Sequence, residues 1–310
     1  MNKPTVVSLF SGAGGGDLGF EQAGLDVIYS CDIDPICKET YDYNFSGVMR
    51  PYSVESLAEQ GGVPDCDVLI GGPPCQSFST LRVRNKLNCS GLTNVYAMQK
   101  IAATKQPKVV VCENVASILK LEGMAPVFNE FKMGFDNAGY HVDAYIFNTQ
   151  DYGIPQDRDR AFFICIRKDL YYYKNIRFYR PEGRHWRLDY EGWADYLDID
   201  RDAYYCARAS NVAGRKADQP TFTVTGAEWP VIRYSYGDVM RGNQIATLRH
   251  NSLGVSQRYL TMAELKKLQG FPPEFKVMGN VSEIRRQVGN AWSVPVAKAI
   301  GCEIKRIISK

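Results

Sequence analysis

The chain has 310 residues, 45% of them hydrophobic and 23% charged, which is the composition of a soluble globular protein with one or two domains. The nine cysteines include no Cys-x-x-Cys pair, which argues against a zinc site, and their scatter suits reduced thiols in a cytoplasm. We find no signal peptide and no apolar run long enough to span a bilayer, so we expect neither secretion nor a membrane partner.

The net charge of +3 is distributed unevenly along the chain. Residues 1–80 carry 3 basic and 11 acidic side chains, whereas residues 81–108 carry 6 basic and no acidic ones. Residues 258–310 carry 10 basic and 4 acidic side chains. These basic segments suit a polyanion such as a nucleic acid, although a charge run by itself is more commonly a solvated face.

Apolar runs and helical segments alternate through the first 167 residues. Strands are predicted near residues 5–10, 27–31, 67–70, 108–112, 141–147 and 161–166, with helical segments near 20–23, after Pro35, and at 124–138. This alternation predicts a mostly parallel, doubly wound α/β sheet. Residues 168–257 are irregular and rich in tyrosine and tryptophan, which predicts a separate, smaller domain. Helical periodicity returns at 262–268 and in a last helix over 293–308.

A glycine-rich turn follows the first strand, and an acid follows the second. The spacing Gly14-x-Gly16-x-x-Gly19 formally fits a dinucleotide-binding turn, in which glycines let the backbone approach the ligand. Asp32 ends the second strand, where a carboxylate accepts hydrogen bonds from ribose hydroxyls, although a turn or capping role is the alternative. Together the two features predict a nucleotide-cofactor site.

The stretch at residues 71–79, Gly-Gly-Pro-Pro-Cys-Gln-Ser-Phe-Ser, follows a short apolar strand. Pro73 and Pro74 fix their φ angles and donate no backbone hydrogen bond, so we expect Cys75 on a stiff segment outside the sheet ladder. Open α/β sheets bind their ligands at the carboxyl ends of the strands, which makes this thiol a candidate nucleophile. The alternative is an inert thiol, as most cysteines are.

Five short motifs occur in order along the chain: Phe-Ser-Gly-Ala-Gly-Gly at 10–15, Gly-Pro-Pro-Cys-Gln at 72–76, Glu-Asn-Val at 113–115, Gln-Asp-Arg-Asp-Arg at 156–160 and Gly-Asn-Ala at 289–291. In this order and spacing they resemble the motif set of the DNA (cytosine-5) methyltransferases. The resemblance implies a Rossmann-like, S-adenosylmethionine-dependent methyltransferase fold with a small target-recognition domain. It places the catalytic and cofactor-binding domain at 1–167, completed by a C-terminal helix at 286–310, and the target-recognition domain at 168–285, with its variable part at 168–257.

The implied reaction transfers a methyl group from S-adenosylmethionine to C5 of a cytosine flipped out of duplex DNA. Thiolate addition at C6 breaks the aromaticity of the ring, so Cys75 is the predicted nucleophile. Glu113 resembles the glutamate that protonates or hydrogen-bonds N3, and Arg160 resembles the arginine that contacts the cytosine carbonyl. Arg158 is expected on the same side of an extended segment, where it would favour the thiolate. The alternatives are a helix-start acid at Glu113 and ion pairs between the arginines and neighbouring aspartates.

The same resemblance implies the cofactor contacts. Phe10 would pack on the adenine ring and Asp32 would hold the ribose. The other implied cofactor residues are Ser11, Gly12, Ala13, Gly14, Gly15, Ile33, Ser53, Val54, Pro73, Asn290 and Ala291. Ser53 and Val54 stand where the family often has an acid for the adenine amino group, so adenine recognition departs from the family pattern there.

The implied DNA contacts lie in two regions. Residues 76–95 would form a loop that closes over the DNA, with contacts from Gln76, Ser77, Ser79, Arg82, Arg84 and Lys86. Thr223 and Val224 resemble a threonine-plus-aliphatic pair that supports the flipped base, although this alternation is also typical of any strand. Arg233, Arg241 and Arg249 are candidates to read guanines or to contact phosphates.

The main prediction is an active DNA (cytosine-5) methyltransferase of the prokaryotic or phage modification type, monomeric and cytoplasmic, and paired with a separate restriction endonuclease. An RNA (tRNA) cytosine-C5 methyltransferase of the same fold would share every motif above. A nicotinamide-dependent dehydrogenase would use the glycine turn but leaves Cys75, Glu113 and Arg160 unexplained. A catalytically inactive DNA-binding relative is disfavoured because every catalytic position is filled.

Overall fold

The computed structural model of the chain describes residues 2–74, 92–199, 203–206, 215–226, 230–234, 249–250 and 256–309. The chain forms two compact units, the first made of Met1–Phe147, Asp159–Pro181 and Val296–Lys310 and the second of Asn148–Arg158 and Glu182–Pro295. The predicted domain boundaries at 167/168 and 285/286 therefore lie at different places from the limits of these units. The structure assigns residues 148–158 to the second unit and residues 168–181 to the first.

The first unit is built on a six-stranded sheet. Its strands are β1 (Thr5–Leu9), β2 (Asp26–Cys31), β3 (Val68–Gly71), β4 (Val109–Val115), β5 (Tyr140–Asn148) and β7 (Asp159–Arg167), in the spatial order β2-β1-β3-β4-β7-β5. β1 runs parallel to β2 and β3, β3 runs parallel to β4, and β7 runs antiparallel to β4. The predicted α/β class with a mostly parallel sheet is confirmed.

Helices connect these strands. They are α1 (Gly15–Gln22), α2 (Pro35–Asn44), α3 (Val54–Gln60), α4 (Thr93–Lys105), α5 (Ser117–Lys120) and α6 (Ala125–Asn137). The central strands are buried along their length, as expected where helices cover a parallel sheet. Val7, Leu69, Val110 and Phe163 join one apolar core with the helices, and the rings of Phe131 and Phe163 are 4.3 Å apart within it.

The last helix, α10 (Val294–Ile308), packs on the first helix of the chain. A Cβ at Gly301 would lie 2.9 Å from the Cβ of Ala23 and 3.4 Å from the Cα of Phe20, so the two helices meet at a position without a side chain. Lys305 also donates a hydrogen bond to the carbonyl of Ala23 at 3.4 Å. The two ends of the chain therefore complete one core.

The second unit has its own sheets and its own core. Its elements are β6 (Gln156–Asp157), α7 (Trp193–Leu197), β8 (Tyr204–Cys206), β9 (Thr221–Phe222), β10 (Val231–Tyr234), β11 (Arg249–His250), β12 (Ser256–Tyr259), α8 (Met262–Leu268) and α9 (Val281–Asn290). Strands β11, β12, β10 and β8 form an antiparallel sheet in that order, and β6 pairs in parallel with β9. Trp193, Tyr205, Ile232, Leu265 and Val288 are buried together in its core.

Two helices of the second unit begin with reciprocal capping. Thr261 accepts a hydrogen bond from the backbone of Glu264, whose side chain accepts one from the backbone of Thr261, and Asn280 and Glu283 repeat the arrangement at α9. These caps fix where α8 and α9 start. Among the described residues, we find no helix with the length and apolarity needed to cross a bilayer.

We expect Gly301→Leu to lower the free energy of unfolding by about 1–3 kcal/mol, because leucine favours a helix but has no room against Ala23. Cys302→Leu, at an exposed position in the same helix, is the matched control. Denaturant unfolding of both variants measures the difference, and equal stabilities would contradict the packing described above.

Candidate active site

Four predicted site segments come level at one edge of the sheet of the first unit, where β1, β2 and β3 end and β4 continues to Val115. Leu9 of β1 pairs with Cys31 of β2 and with Gly71 of β3, and Gly71 pairs with Cys112 of β4. The residues that follow these four partners are Phe10, Asp32, Gly72 and Glu113. Ligands bind outside the carboxyl ends of strands in sheets of this kind, so this edge is the candidate active site.

The glycine turn bends the chain away from β1 through left-handed backbone positions. Phe10, Gly12 and Gly14 have φ angles of 55°, 54° and 85°. A Cβ at Gly14 would lie 2.4 Å from the ring of Phe45, so glycine is required there on packing grounds as well. A Cβ at Gly12 would meet no atom of the described residues within 4 Å, so none of those residues blocks the approach of a ligand to the backbone of Gly12.

Asp32 joins the glycine turn to the end of β2. One carboxylate oxygen accepts a hydrogen bond from the backbone of Gly12 at 2.8 Å, and the other accepts one from the backbone of Asp34 at 2.9 Å. Burial raises the pKa of Asp32 above its ordinary value, while these two hydrogen bonds oppose the rise. A carboxylate offers about four lone-pair sites, so Asp32 retains capacity for ribose hydroxyls. Asp34 caps α2 by accepting a hydrogen bond from the backbone of Ile36 at 3.1 Å.

The groups at this edge fit an adenosyl cofactor. Gly12 leaves room for close approach, Asp32 supplies acceptor sites, and Ile33 presents a side chain that is 70% exposed. Ser53 accepts from the backbone of Ser56 and so caps α3, while Val54 is buried in the apolar core. The structure therefore shows a helix-capping role for Ser53 and a core-packing role for Val54, and their predicted contacts with the cofactor stay predictions.

Three side chains next to the glycine turn form a run of hydrogen bonds that the sequence analysis did not predict. The hydroxyl of Ser11 donates to the hydroxyl of Ser8 at 2.9 Å, and Ser8 donates to Asp17 at 2.6 Å. Burial raises the pKa of Asp17 from 3.8 to about 7, so this carboxyl takes up a proton near neutral pH. In the sequence Asp17 is an ordinary acid in the first turn of a helix, and only its burial distinguishes it.

Glu113 and Arg160 form an ion pair across two neighbouring strands. The guanidinium Nε of Arg160 lies 3.0 Å from a carboxylate oxygen of Glu113, which is largely buried. The antiparallel pairing of β4 with β7 sets this distance, because Val115 lies opposite Arg160. Asp159, the alternative partner of Arg160, forms an ion pair with Lys120. The structure thus brings together two of the predicted catalytic residues.

Asn114 connects β4 to the turn that leads to the predicted nucleophile. Its amide nitrogen donates to the carbonyl of Pro73 at 3.4 Å, and its amide oxygen accepts from the backbone of Val115 at 2.8 Å. Asn114 is buried and belongs to the Glu-Asn-Val motif, yet the sequence assigned it no task. The predicted residues Cys75, Gln76, Ser77, Ser79, Arg82, Arg84 and Lys86 lie outside the described residues.

Arg158 does not share an extended segment with Arg160, so that expectation was wrong. β6 ends at Asp157 and pairs with β9, whereas β7 begins at Asp159 and pairs with β4. Between them, the backbone of Arg158 donates to the carbonyl of Gln156 at 3.0 Å, which is a tight turn. The arginine side chain, 1% exposed, donates instead to backbone carbonyls of the second unit.

Both residues of the predicted DNA-supporting pair have contacts within the protein. Val224 is 0% exposed and belongs to the core of the second unit, and its predicted support of a flipped base stays a prediction. Its strand-like alternation with threonine reflects burial. Thr223 is half-buried and donates its hydroxyl to the carbonyl of Asp157 at 2.6 Å.

The remaining predicted residues of the second unit have defined positions in the backbone. Arg233 lies in β10, Arg249 lies in β11, and Arg241 lies outside the described residues. Asn290 is the last residue of α9, and Ala291 follows it. The predicted contacts of these residues with DNA or with the cofactor stay predictions.

Comparison with known proteins decides the family. The profile described as C-5 cytosine-specific DNA methylase matches residues 4–306. The chain belongs to this family. It is therefore a DNA (cytosine-5) methyltransferase, with S-adenosylmethionine as the methyl donor and DNA as the substrate.

Individual relatives agree with this assignment. The chain is 29% identical to the type II methyltransferase M.NgoFVII of Neisseria gonorrhoeae, over 94% of this chain and 83% of the relative. It is 30% identical to M.FnuDI of Fusobacterium nucleatum, over 98% and 95% of the two chains.

Solved structures share the fold across the whole chain. The Entamoeba histolytica methyltransferase EhMeth has a TM-score of 0.71 at 19% identity and covers 100% of both chains. The Dnmt2 methyltransferase of S. pombe has a TM-score of 0.66 at 19% identity and covers 99% of both chains. These similarities confirm the Rossmann-like methyltransferase fold.

Asp17 makes the stability of this methyltransferase depend on pH. Its raised pKa means that the folded state binds more protons than the unfolded state between pH 3.8 and about 7, so the free energy of unfolding falls as pH rises through that window. We expect Asp17→Asn to reduce the loss of stability between pH 5 and pH 8 by about 3 kcal/mol, at 1.36 kcal/mol per pKa unit.

The matched control is Asp26→Asn, at an exposed position early in β2. Denaturant unfolding of the wild type and both variants at the two pH values measures the effect. An unchanged pH dependence in Asp17→Asn would show that Asp17 does not hold the proton.

Proposed function

We propose that this methyltransferase modifies C5 of a flipped-out cytosine within a specific duplex DNA sequence, through a covalent bond between Cys75 and C6. The observation that carries the proposal is the Glu113–Arg160 ion pair at the strand edge from which the chain continues to Cys75. Asn114, hydrogen-bonded to Pro73, holds the carboxyl-bearing strand to the segment that precedes the thiol.

In the proposed reaction Cys75 and Glu113 act on the cytosine ring, and Arg160 acts on Glu113. The Cys75 thiolate adds to C6, and the charge that builds at N3 is neutralised by a proton shared with Glu113. Arg160 fixes the orientation of the Glu113 carboxyl group for this transfer, since its Nε lies 3.0 Å from a carboxyl oxygen. When bound, S-adenosylmethionine supplies an electrophilic methyl group. Methyl transfer to C5 would leave S-adenosylhomocysteine. Water then takes the C5 proton, the C6–S bond breaks to release the Cys75 thiolate, and the N3 proton returns to Glu113.

Support for cofactor placement comes from the glycine turn. Gly12 and Asp32 are held together by a direct hydrogen bond, so the open backbone and the ribose acceptor form one preorganised unit. Phe10 adopts its left-handed conformation beside them, where its ring is partly buried. We also propose that Asn290 contacts the cofactor, as the family resemblance implies.

The biological setting follows from the relatives. M.NgoFVII and M.FnuDI are both named type II methyltransferases, which supports a modification role beside a separate restriction endonuclease. We propose a monomeric, cytoplasmic enzyme in which Arg82, Arg84 and Lys86 contact the DNA. The predicted loop over residues 76–95 was wrong at its end, because residues 93–95 belong to α4 and Leu92 and Val95 are buried in the core. The basic composition of residues 81–108 supports contact with phosphates.

Cys75→Ser should abolish methyl transfer, because an alcohol at neutral pH is a far weaker nucleophile than a thiolate. Purified protein with tritiated S-adenosylmethionine and mixed-sequence duplex DNA measures the transfer, and transfer RNA in parallel tests the RNA alternative. Cys302→Ser, an exposed cysteine in α10, is the control and should retain full activity. The DNA assignment fails if the wild type labels only RNA, and the nucleophile assignment fails if Cys75→Ser labels DNA.

Glu113→Gln should lower the rate of methyl transfer at saturating DNA by about 10²–10⁴-fold, since the amide neither shares the N3 proton nor pairs with Arg160 as an ion. Single-turnover kinetics measure the rate, and Glu122→Gln at an exposed position is the control. A reduction of less than about threefold would remove Glu113 from the proposed chemistry.

A further inference from the structure

Three segments of the second unit converge on residues 156–158. The side chain of Gln156 is fully buried and connects two of them. Its amide nitrogen donates to the carbonyl of Leu268 at the end of α8, at 2.5 Å, and its amide oxygen accepts from the backbone of Val224 at 2.8 Å. β6 also pairs with β9, and the hydroxyl of Thr223, which directly follows β9, donates a hydrogen bond to the carbonyl of Asp157 in β6.

The guanidinium of Arg158 connects the third segment. One terminal nitrogen donates to the carbonyl of Val224 at 2.8 Å. The other donates to the carbonyls of Gly289 and Ala291 at 3.1 and 3.0 Å, on both sides of the last residue of α9. Burial of a cation is costly, and carbonyl oxygens offset this cost only while all of these bonds are made. A displacement of either segment would therefore be opposed by Arg158.

The two segments that Arg158 holds also touch each other without side chains between them. A Cβ at Gly289 would lie 2.3 Å from the backbone nitrogen of Gly226 and 2.3 Å from the carbonyl carbon of Thr225. A Cβ at Gly226 would lie 2.8 Å from the side-chain oxygen of Asn290. The end of α9 and residues 224–226 are thus packed backbone to backbone, and a shift of one requires a shift of the other.

We propose that Arg158, supported by Gln156, is a positioning residue that fixes residues 223–226 and residues 289–291 in a single arrangement and so couples DNA binding to cofactor binding. This inference rests on the proposed function, in which Asn290 contacts the cofactor, and on the prediction from the family resemblance that Thr223 contacts DNA. It replaces the catalytic role that the sequence predicted for Arg158. Coupling of this kind is reciprocal, so cofactor must tighten DNA by the same factor by which DNA tightens cofactor.

Arg158→Lys tests the proposal, because lysine retains the charge but its single ammonium cannot reproduce the fork that reaches three carbonyls. We expect the KM values for duplex DNA and for S-adenosylmethionine to rise together by about tenfold, with the single-turnover rate at saturation of both within about threefold of the wild type. We also expect S-adenosylhomocysteine to enhance DNA affinity less in the variant, as measured by fluorescence anisotropy.

Arg215→Lys is the matched control. Arg215 belongs to the same unit, pairs with Asp157 at 3.2 Å and lies over the ring of Phe222, but it is partly exposed and bonds to neither held segment. We expect both KM values of this variant to stay within about twofold of the wild type.

Gly289→Ala provides a second route to the same effect. Its Cβ would displace residues 225–226 while every hydrogen-bond donor remains, so it separates loss of position from loss of the guanidinium. The same joint rise of the two KM values is expected, which keeps the test valid if Arg158→Lys fails to fold.

The opposing results are distinct. A fall in the saturated single-turnover rate with unchanged KM values would restore a catalytic role for Arg158. A lower fraction of active enzyme with wild-type KM values and wild-type coupling would reduce it to support of the fold. A wild type that transfers no methyl group to DNA would overturn the proposed function instead, whereas the anisotropy measurement of coupling needs no turnover.

Discussion

The candidate active site depends on one structural constraint, the strand register that brings the ends of β1, β2 and β3 level with Cys112 of β4, which itself continues to Val115. The pairs Leu9–Cys31, Leu9–Gly71 and Gly71–Cys112 set that level. Because parallel strands are buried from both faces by apolar side chains, a one-residue slip would move the whole core, so the register is strongly fixed. The glycine turn, Asp32 and Glu113 thus inherit their relative positions from the hydrophobic core.

Residues 156–160 serve both units of the chain. Arg160 belongs to the first unit and orients Glu113, whereas Arg158 belongs to the second unit and holds backbone carbonyls there. The limit between the units falls between Arg158 and Asp159, inside a single sequence motif. The proximity of the two arginines in sequence therefore does not imply that they act on the same substrate atom. Each is placed by the strand that adjoins it, β6 for Arg158 and β7 for Arg160.

Buried polar side chains fix the positions of particular segments through directional hydrogen bonds, which apolar packing alone does not provide. Asn114, Asp17 and Arg158 are each nearly inaccessible, and each bonds to a segment that carries a predicted functional residue. Sequence reasoning missed the first two and wrongly placed the third on one extended segment with Arg160. Their residue types are common in turns and helix starts, and nothing in a linear pattern shows that a polar group has lost its water. Burial turned ordinary residues into positioning groups.

The sequence by itself determined the α/β class, the family and its reaction, because five ordered motifs and the alternation of strands with helices are local patterns. It also placed Asp32 directly after the second strand, whereas Glu113, expected after the fourth strand, lies inside β4. Only the tertiary structure decided that Val224 is core, that Arg158 bonds to carbonyls, and that the units divide within residues 156–160. These properties depend on which distant segments pack together, since a hydrogen bond to Gly289 or Ala291 spans more than a hundred residues of chain.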